Sequence, residues 1–266
     1  PAPQGLEAAG WATAALAVLM AVWWASEAIP LAATALLPLI LLPLLGIADI
    51  RAAAAPFANP LIFLFLGGFL IALAAQRWNL HRRVALHILA GVGRCQIHLI
   101  AGAMLATALL SMWISNTATT LMMLPIGVSL ISLSRTGGDR PLVEDTHFAT
   151  CMMLGIAYAA TIGGLATPIG SPPNALAISY LSQTHSVEVT FLGWMQLALP
   201  VTLVMLPIAW FVLTRVAFPI SKDARIDDHG VKQMLAELPP MSTAEKRVAA
   251  VFAAVAGAFM YFATLT

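Results

Sequence analysis

Residues 97–133 are apolar with a polar centre, and this one stretch restricts the fold more than any other. A single membrane span takes about 20 apolar residues, with a range near 17–25, so the stretch is too long for one span and short for two. At its middle lies SMWISNTATTLMMLPIG (111–127), where Ser115, Asn116, Thr117, Thr119 and Thr120 sit together. None carries a charge, and all present oxygen. A helix–turn–helix that enters and leaves the membrane on one side accounts for both the length and the position of the polar group. The pattern recurs at 148–183: an apolar arm to Ala166, a break reading TPIGSPPN (167–174), and a second arm from Ala175. Gly163, Gly164, Pro168, Gly170, Pro172 and Pro173 are the strongest helix-breaking punctuation in the chain. Proline removes donors and glycine permits unusual backbone angles. Irregular backbone at membrane depth is tolerated only where it is buried in protein or lines a wet cavity.

Composition agrees with a bilayer setting. Of 266 residues, 60% are hydrophobic and 9% charged, against about 25% charged in an ordinary soluble domain. A soluble fold of this length could not cover so much apolar surface. The expected class is an all-α polytopic membrane protein in contact with the lipid bilayer. A net charge of +1 gives no case for a nucleic-acid partner. Cys95 and Cys151 are too far apart in sequence to suggest a disulfide framework or a metal cluster. No Walker loop, HExxH or G-x-S-x-G motif occurs, so neither ATP-driven nor hydrolytic activity has support, and the chain does not read as an enzyme.

The remaining spans follow from length and punctuation. Residues 11–29 fill one span closed by Pro30, and 31–46 make a shorter one. Asp49 to Asn59 is a break, and 60–77 are apolar with Gly67–Gly68 available for close helix approach. In NLHRRVALHILAGVGR (79–94), Leu80, Val84, Ile88 and Leu89 recur at helical spacing while His81, Arg82, Arg83, His87 and Arg94 lie mostly elsewhere. That is an amphipathic helix on the cytoplasmic surface. His81 and His87 do not share a helix face, which argues against a metal site. Residues 195–217 form a span, 218–244 a charged linker, and 246–265 begin a further span. Arg and Lys concentrate in 77–83, 134–147 and 215–247, while 1–10 and 184–194 hold none. The basic loops are therefore cytoplasmic and 1–10 external. Glu27, beside Trp23 and Trp24, reads as an interfacial cap or structural partner rather than a proton-coupling carboxylate. The methionines read as gap fillers.

Paired interrupted helices near the midplane mark secondary transporters. Each interruption leaves free N–H groups at the start of one half-helix and free C=O groups at the end of the other. The N–H ends suit a carboxylate or sulfate. The carbonyls, with hydroxyl and amide oxygens, suit a hard cation such as Na⁺. A neutral cage also avoids burying fixed charge. Ser111 lies one turn before Ser115, so their hydroxyls face the same way. They can converge with the Asn116 amide and with a carbonyl or hydroxyl from Gly170–Ser171.

SMWISNTATTLMMLPI resembles the first Ser-Asn-Thr signature of the divalent anion/sodium symporters, which carry dicarboxylates, citrate or sulfate. WWASEAIP (23–30), LIFLFLGGF (61–69), LHRRVAL (80–86) and AYAATIGGLATPIGSPPN (157–174) also resemble that family, in order along the chain. The resemblance implies a hairpin entering from the cytoplasm and one Na⁺ site shared between the hairpin and the break. Ser111, Ser115 and Asn116 match its hairpin ligands, and Gly170 and Ser171 its loop ligands. Ser115, Asn116 and Thr117 fall on the substrate side of the motif, with Asn116 and Thr117 touching a carboxylate and with Thr167 and Asn174 as neighbours. It implies homodimers and an elevator-like motion of a transport domain against a scaffold, linked by the surface helix. Scaffold-type helices would occupy 1–96, the hairpin and broken helix 97–183, and a spanning helix, linker and start of a second repeat 184–266. The family has two inverted repeats with a second Ser-Asn-Thr, which does not occur here. The chain is thus expected to be one repeat of a longer protein in a bacterial inner (plasma) membrane. The expected function is sodium-coupled symport of a di- or tricarboxylate. The alternatives are sulfate or another oxyanion as substrate, an anion channel or exchanger, and a structural membrane subunit.

Overall fold

The computed structural model describes residues 7–93, 95–135, 142–221 and 233–262, and the long elements among them are all helices. Arg94, residues 136–141 and 222–232, which carry part of the expected basic loops and linker, lie outside the described residues, as do 1–6 and 263–266. Residues up to Phe63 make one compact unit and those from Leu64 another.

The first unit holds α1 (Ala8–Ser26), α2 (Leu31–Ala35), α3 (Leu37–Leu44) and α4 (Ile50–Ala54), the last followed by a 3-10 turn at Ala55–Ala58. The α1 helix ends sooner than the expected 11–29 span because Glu27 turns left-handed, φ 50°, and so caps the helix with its backbone. Along α1 only Leu16 is buried, while Val18 and Val22 are 64% and 55% exposed. An apolar cylinder facing outward in this way is suited to lipid. The expected single segment 31–46 is instead two short helices that part at Leu36. Pro38 in the first turn of α3 and Pro43 inside it withhold N–H groups from any continuous ladder. The expected break at 49–59 is itself largely helical. The Asp49 carboxylate accepts from the Ala52 N–H at 2.6 Å and starts α4.

The α5 helix (Pro60–Arg77) crosses between the units and matches the expected apolar stretch. The second unit continues with α6 (Leu80–Gly91), α7 (Gln96–Ser111), α8 (Asn116–Arg135), α9 (Leu142–Gly164), α10 (Pro172–His185) and α11 (Phe191–Phe211). A π-helical turn (Val212–Ala217) extends α11, and α12 (Thr243–Phe262) follows. The apolar face of α6 differs from the expected stripe. Ala85, Leu86 and Leu89 are fully buried, whereas Val84 is 38% exposed. The packed ridge is rotated because α6 docks its Leu86–Leu89 edge on α7 rather than laying Leu80 and Val84 into the core.

The α9 helix fixes the direction of its neighbours. Met104 packs at Gly155 and the Ala108 backbone at Gly163, so α7 and α9 run the same way. Asn116 packs at Gly164, and Met152, Met153 and Ile156 pack at Gly127, so α8 runs the opposite way. The α7 and α8 helices are therefore antiparallel arms joined through 112–115. The arms are unequal: α7 has 16 residues, short for a bilayer core, and α8 has 20. Among the described residues four helices are long and apolar enough to cross a membrane: Ala8–Ser26, Asn116–Ser134, Thr146–Gly164 and Phe191–Ala217. The three-helix seam is filled by Ile100, Met104, Met123, Leu130, Met152 and Ile156, all at most 1% exposed. Here the methionines do serve as packing. On the outer side of α7, Trp210 of α11 donates its indole N–H to the Ile97 carbonyl at 3.0 Å.

The tightest helix contact depends on glycine. A Cβ on Gly163 would stand 2.5 Å from Ala108 Cα and 2.8 Å from its carbonyl carbon. No rotamer change moves backbone, so the helices would have to separate. Overpacking of this kind costs about 1–3 kcal/mol. Gly163→Ala is expected to lower the thermal unfolding midpoint in detergent by several degrees. Gly67→Ala, where a Cβ meets nothing within 4 Å, serves as control. Equal midpoints for the two variants would contradict the contact.

Candidate functional site

The two interruptions meet at the end of α9. Ser111 closes α7 with its side chain fully buried, and its hydroxyl donates to the Ala160 carbonyl at 2.6 Å. The Asn116 amide satisfies the surrounding groups when its NH₂ points to the same place. It then lies 2.9 Å from Ser111 Oγ, 3.1 Å from the Ala160 carbonyl and 3.3 Å from the Gly170 carbonyl. Its two protons then serve acceptors from three separate elements. In the opposite orientation the amide oxygen would face the Ser111 hydroxyl at 2.9 Å. A Cβ on Gly170 would stand 2.6 Å from the Gly164 carbonyl oxygen and 2.9 Å from that of Ser111. Two further carbonyls are thus close, and only glycine lets them in. A Cβ on Gly164 would likewise strike the Asn116 amide, 3.0 Å from its carbon.

Side chains satisfy the carbonyls left at the end of α9, as interrupted backbone in an apolar setting requires. Asn174 donates through Nδ2 to the carbonyls of Gly164 and Thr167, both at 2.8 Å. The Thr167 hydroxyl donates to the Met112 carbonyl and accepts from the Gly170 N–H at 3.1 Å. Thr167 is therefore a direct stitch between the turn 112–115 and the break. Trp194 of α11 donates its indole N–H to the Leu165 carbonyl at 2.9 Å.

Two serines begin the second half-helices. The Ser115 hydroxyl accepts from the Ala118 N–H at 3.4 Å, and its carbonyl from the Thr119 N–H at 2.9 Å, so it caps α8. Ser171, in extended backbone at φ −147°, precedes α10 without a side-chain cap bond. The break therefore spans 165–171 rather than the expected 167–174, because Pro172 and Pro173 fit the first helical positions, where a missing N–H costs nothing. In consequence the two helix starts differ. The α10 start offers no N–H at its first two residues, whereas α8 offers those of Asn116 and Thr117.

The expected residues thus separate into groups. Ser111, Asn116 and Gly170 meet at one buried point. Thr167 and Asn174 hold the break in shape. Ser115 and Ser171 stand at helix starts, and Thr117 is on the exposed side of α8. Thr120 bonds back to the Asn116 carbonyl at 2.8 Å, while the Thr119 hydroxyl is fully buried without a partner. Sequence reasoning missed the Ala160 carbonyl, which leaves no mark in a side-chain pattern. It also missed Trp194, whose indole N–H reaches the Leu165 carbonyl, and Trp113. The Trp113 ring, in the turn itself, stacks on Phe191 at 6.2 Å and meets Phe252 edge-on at 5.1 Å. None of the residues in the network is ionisable. Among the described residues no group of three or more His, Cys, Asp or Glu could hold a metal ion. His81 and His87 contact the backbone carbonyls of Ala75 and Arg83 instead of each other.

The profile of the sodium:sulfate symporter transmembrane region matches residues 1–263. The chain is 40% identical over 257 residues to the sodium-dependent dicarboxylate transporter SdcS of Staphylococcus aureus strain USA300. It is 39% identical over 255 residues to the transporter of the same name from Staphylococcus saprophyticus. Each match covers 94% of this chain and 49% of the relative, so the chain spans about half the length of the curated relatives it matches.

Asn174 gives the sharpest test of the break's internal support. Its loss removes the side-chain donor of the Gly164 carbonyl, at about 1–3 kcal/mol, and leaves the Thr167 carbonyl with only the Gly170 N–H at 3.3 Å. Asn174→Ala is expected to lower the unfolding midpoint markedly, while Gln183→Ala, on an exposed bond along α10, leaves it unchanged. Equal midpoints would show that the two carbonyls do not depend on this amide.

Proposed function

Since the chain belongs to the family of the sodium:sulfate symporter transmembrane region, we propose that it forms half of a sodium-coupled symporter for di- or tricarboxylate anions. It is an integral membrane protein. The observation that carries the reading is the buried point where Ser111, Asn116, Ala160 and Gly170 bring uncharged oxygens together. The reading is supported by relatives that are sodium-dependent dicarboxylate transporters.

In this reading Na⁺ is a transported substrate. It takes the bridging role that the Asn116 NH₂ protons otherwise play. The amide turns its oxygen inward, and the Ser111, Asn116 and Gly170 oxygens become ligands, with Ser115 and Ser171 completing the set from the two helix starts. Hard cations favour such oxygens, and no buried fixed charge is needed. The cation then attracts the anion, whose carboxylate meets Asn116, Thr117 and Ser115 at the positive start of α8. Because α10 begins with two prolines, the α8 start supplies more of the N–H donors. The division into scaffold-type helices 1–96, transport-type elements 97–183 and a segment 184–266 leading to a second repeat belongs to the proposal. So do the re-entrant hairpin, the elevator-type motion and the homodimer. Sulfate is a second reading, favoured by the description of the matching family.

Asn116→Ala in the complete protein is expected to abolish sodium-dependent succinate uptake into proteoliposomes, and normal uptake would refute the assignment. For Ser111→Ala, the sodium activation curve is expected to move to higher concentration, and an unmoved curve would remove Ser111 from the ligand set. Competition between succinate and sulfate separates the two substrate readings.

A further inference from the structure

Outside the oxygen cluster, two contacts tie its turn to a helix that the reading above does not use. Arg83 on α6 forks onto the start of α12. Its Nε donates to Glu245 Oε1 at 2.5 Å, and its Nη2 to Glu245 Oε2 at 3.2 Å and to the Pro239 carbonyl at 2.6 Å. Bidentate pairing of this kind fixes orientation as well as attraction. Glu245 is only 5% exposed and also closes a reciprocal cap. The Ser242 hydroxyl accepts from the Glu245 N–H at 3.1 Å, and Glu245 Oε2 accepts from the Ser242 N–H at 3.4 Å. The hydrogen bond from Arg83 holds the Glu245 carboxyl below the usual carboxylate range, against the upward push of its burial, so the pair is charged at neutral pH.

Phe252 lies two helical turns beyond Glu245 and therefore on the same face of α12. It meets Trp113 edge-on at 5.1 Å with the planes at 70°. Trp113 is thus held between Phe252 and Phe191 of α11. Its chain neighbour Met112 carries the carbonyl bonded by Thr167, and Ser115 and Asn116 follow within one turn. One face of α12 is accordingly fastened at its start to the surface helix and, two turns on, to the tip that carries the oxygens.

We infer that Arg83, Glu245, Phe252 and Trp113 act as a brace that positions the hairpin tip, and that Arg83 and Glu245 are positioning residues setting the sodium affinity of a site they do not touch. The inference rests on the sodium reading. Couplings between separate sites are commonly worth about 5-fold or more in affinity, and that is the size expected here.

The test is sodium activation of succinate uptake by the complete protein in proteoliposomes, with the reconstituted amount of each variant measured. Arg83→Gln and Glu245→Gln are each expected to raise the half-maximal sodium concentration about 5-fold or more, with the maximal rate per transporter retained. Arg83→Lys, which keeps the charge but loses the fork, recovers only part of the affinity. Trp113→Phe stays close to the parent, and Trp113→Ala shifts like Arg83→Gln. The Arg83→Gln/Trp113→Ala pair shifts less than the product of the two, as members of one unit do. A purely structural contact would instead reduce yield and leave half-maximal sodium unchanged in the protein that survives. That outcome overturns the brace. Where Ser111→Ala shifts sodium activation and the Arg83 and Glu245 variants do not, the brace fails while the sodium reading stands. Where uptake by the parent protein does not depend on sodium at all, the sodium reading fails and the brace with it.

Discussion

The arrangement of the site depends on how closely the backbone at Gly163–Gly164 approaches α7 and the start of α8. A helix that stops inside an apolar region leaves carbonyls without partners, and each costs on the order of 1–3 kcal/mol if left bare. The chain satisfies them by bringing Asn174 and Trp194 to the end of α9, while the Thr167 hydroxyl satisfies the Met112 carbonyl after α7. That is possible only because Gly163 lets the Ala108 backbone in and Gly164 makes room for the Asn116 amide. The same closeness carries the Ser111 hydroxyl to the Ala160 carbonyl. Helix packing and site chemistry are here the same contact.

Much of this was legible in the residues. The polar group at 115–120 and the glycines and prolines at 163–173 announced two interruptions, because those residue types act locally on the backbone. What required the fold was their partners. The Ala160 and Met112 carbonyls belong to every residue alike, so no pattern marks them as acceptors. Boundaries moved for local reasons as well. Pro172 and Pro173 read as a break, yet they open α10, since proline is tolerated where a helix needs no N–H. The α6 stripe was misplaced through Val84, because periodicity identifies an apolar face but not which edge of it a neighbour will cover. The segment 31–46 parted at Leu36, where two prolines within one apolar run outweighed its hydropathy.

Charge is kept at a distance from the oxygens. An ion pair of the second unit, the part-buried Arg83 with the buried Glu245, lies at the start of α12 and is doubly tied through the Ser242 cap and the Pro239 carbonyl. A pair so enclosed contributes geometry more than net stability, since desolvation offsets much of its attraction. At the tip, by contrast, polarity comes entirely from dipoles: hydroxyls, one amide and the ends of helices. Dipoles of this kind carry no net charge to desolvate, whereas a buried carboxylate would.

The uncharged character of the cluster has a consequence for acidity. Hydroxyl, amide and peptide oxygens neither gain nor lose protons across the range in which cells live, so hydronium finds no base there to compete with a metal cation. Under the proposed sodium-coupled symport, a response to external acid would have to arise in the anion, whose own carboxylates take up protons, or in groups outside the oxygen cluster.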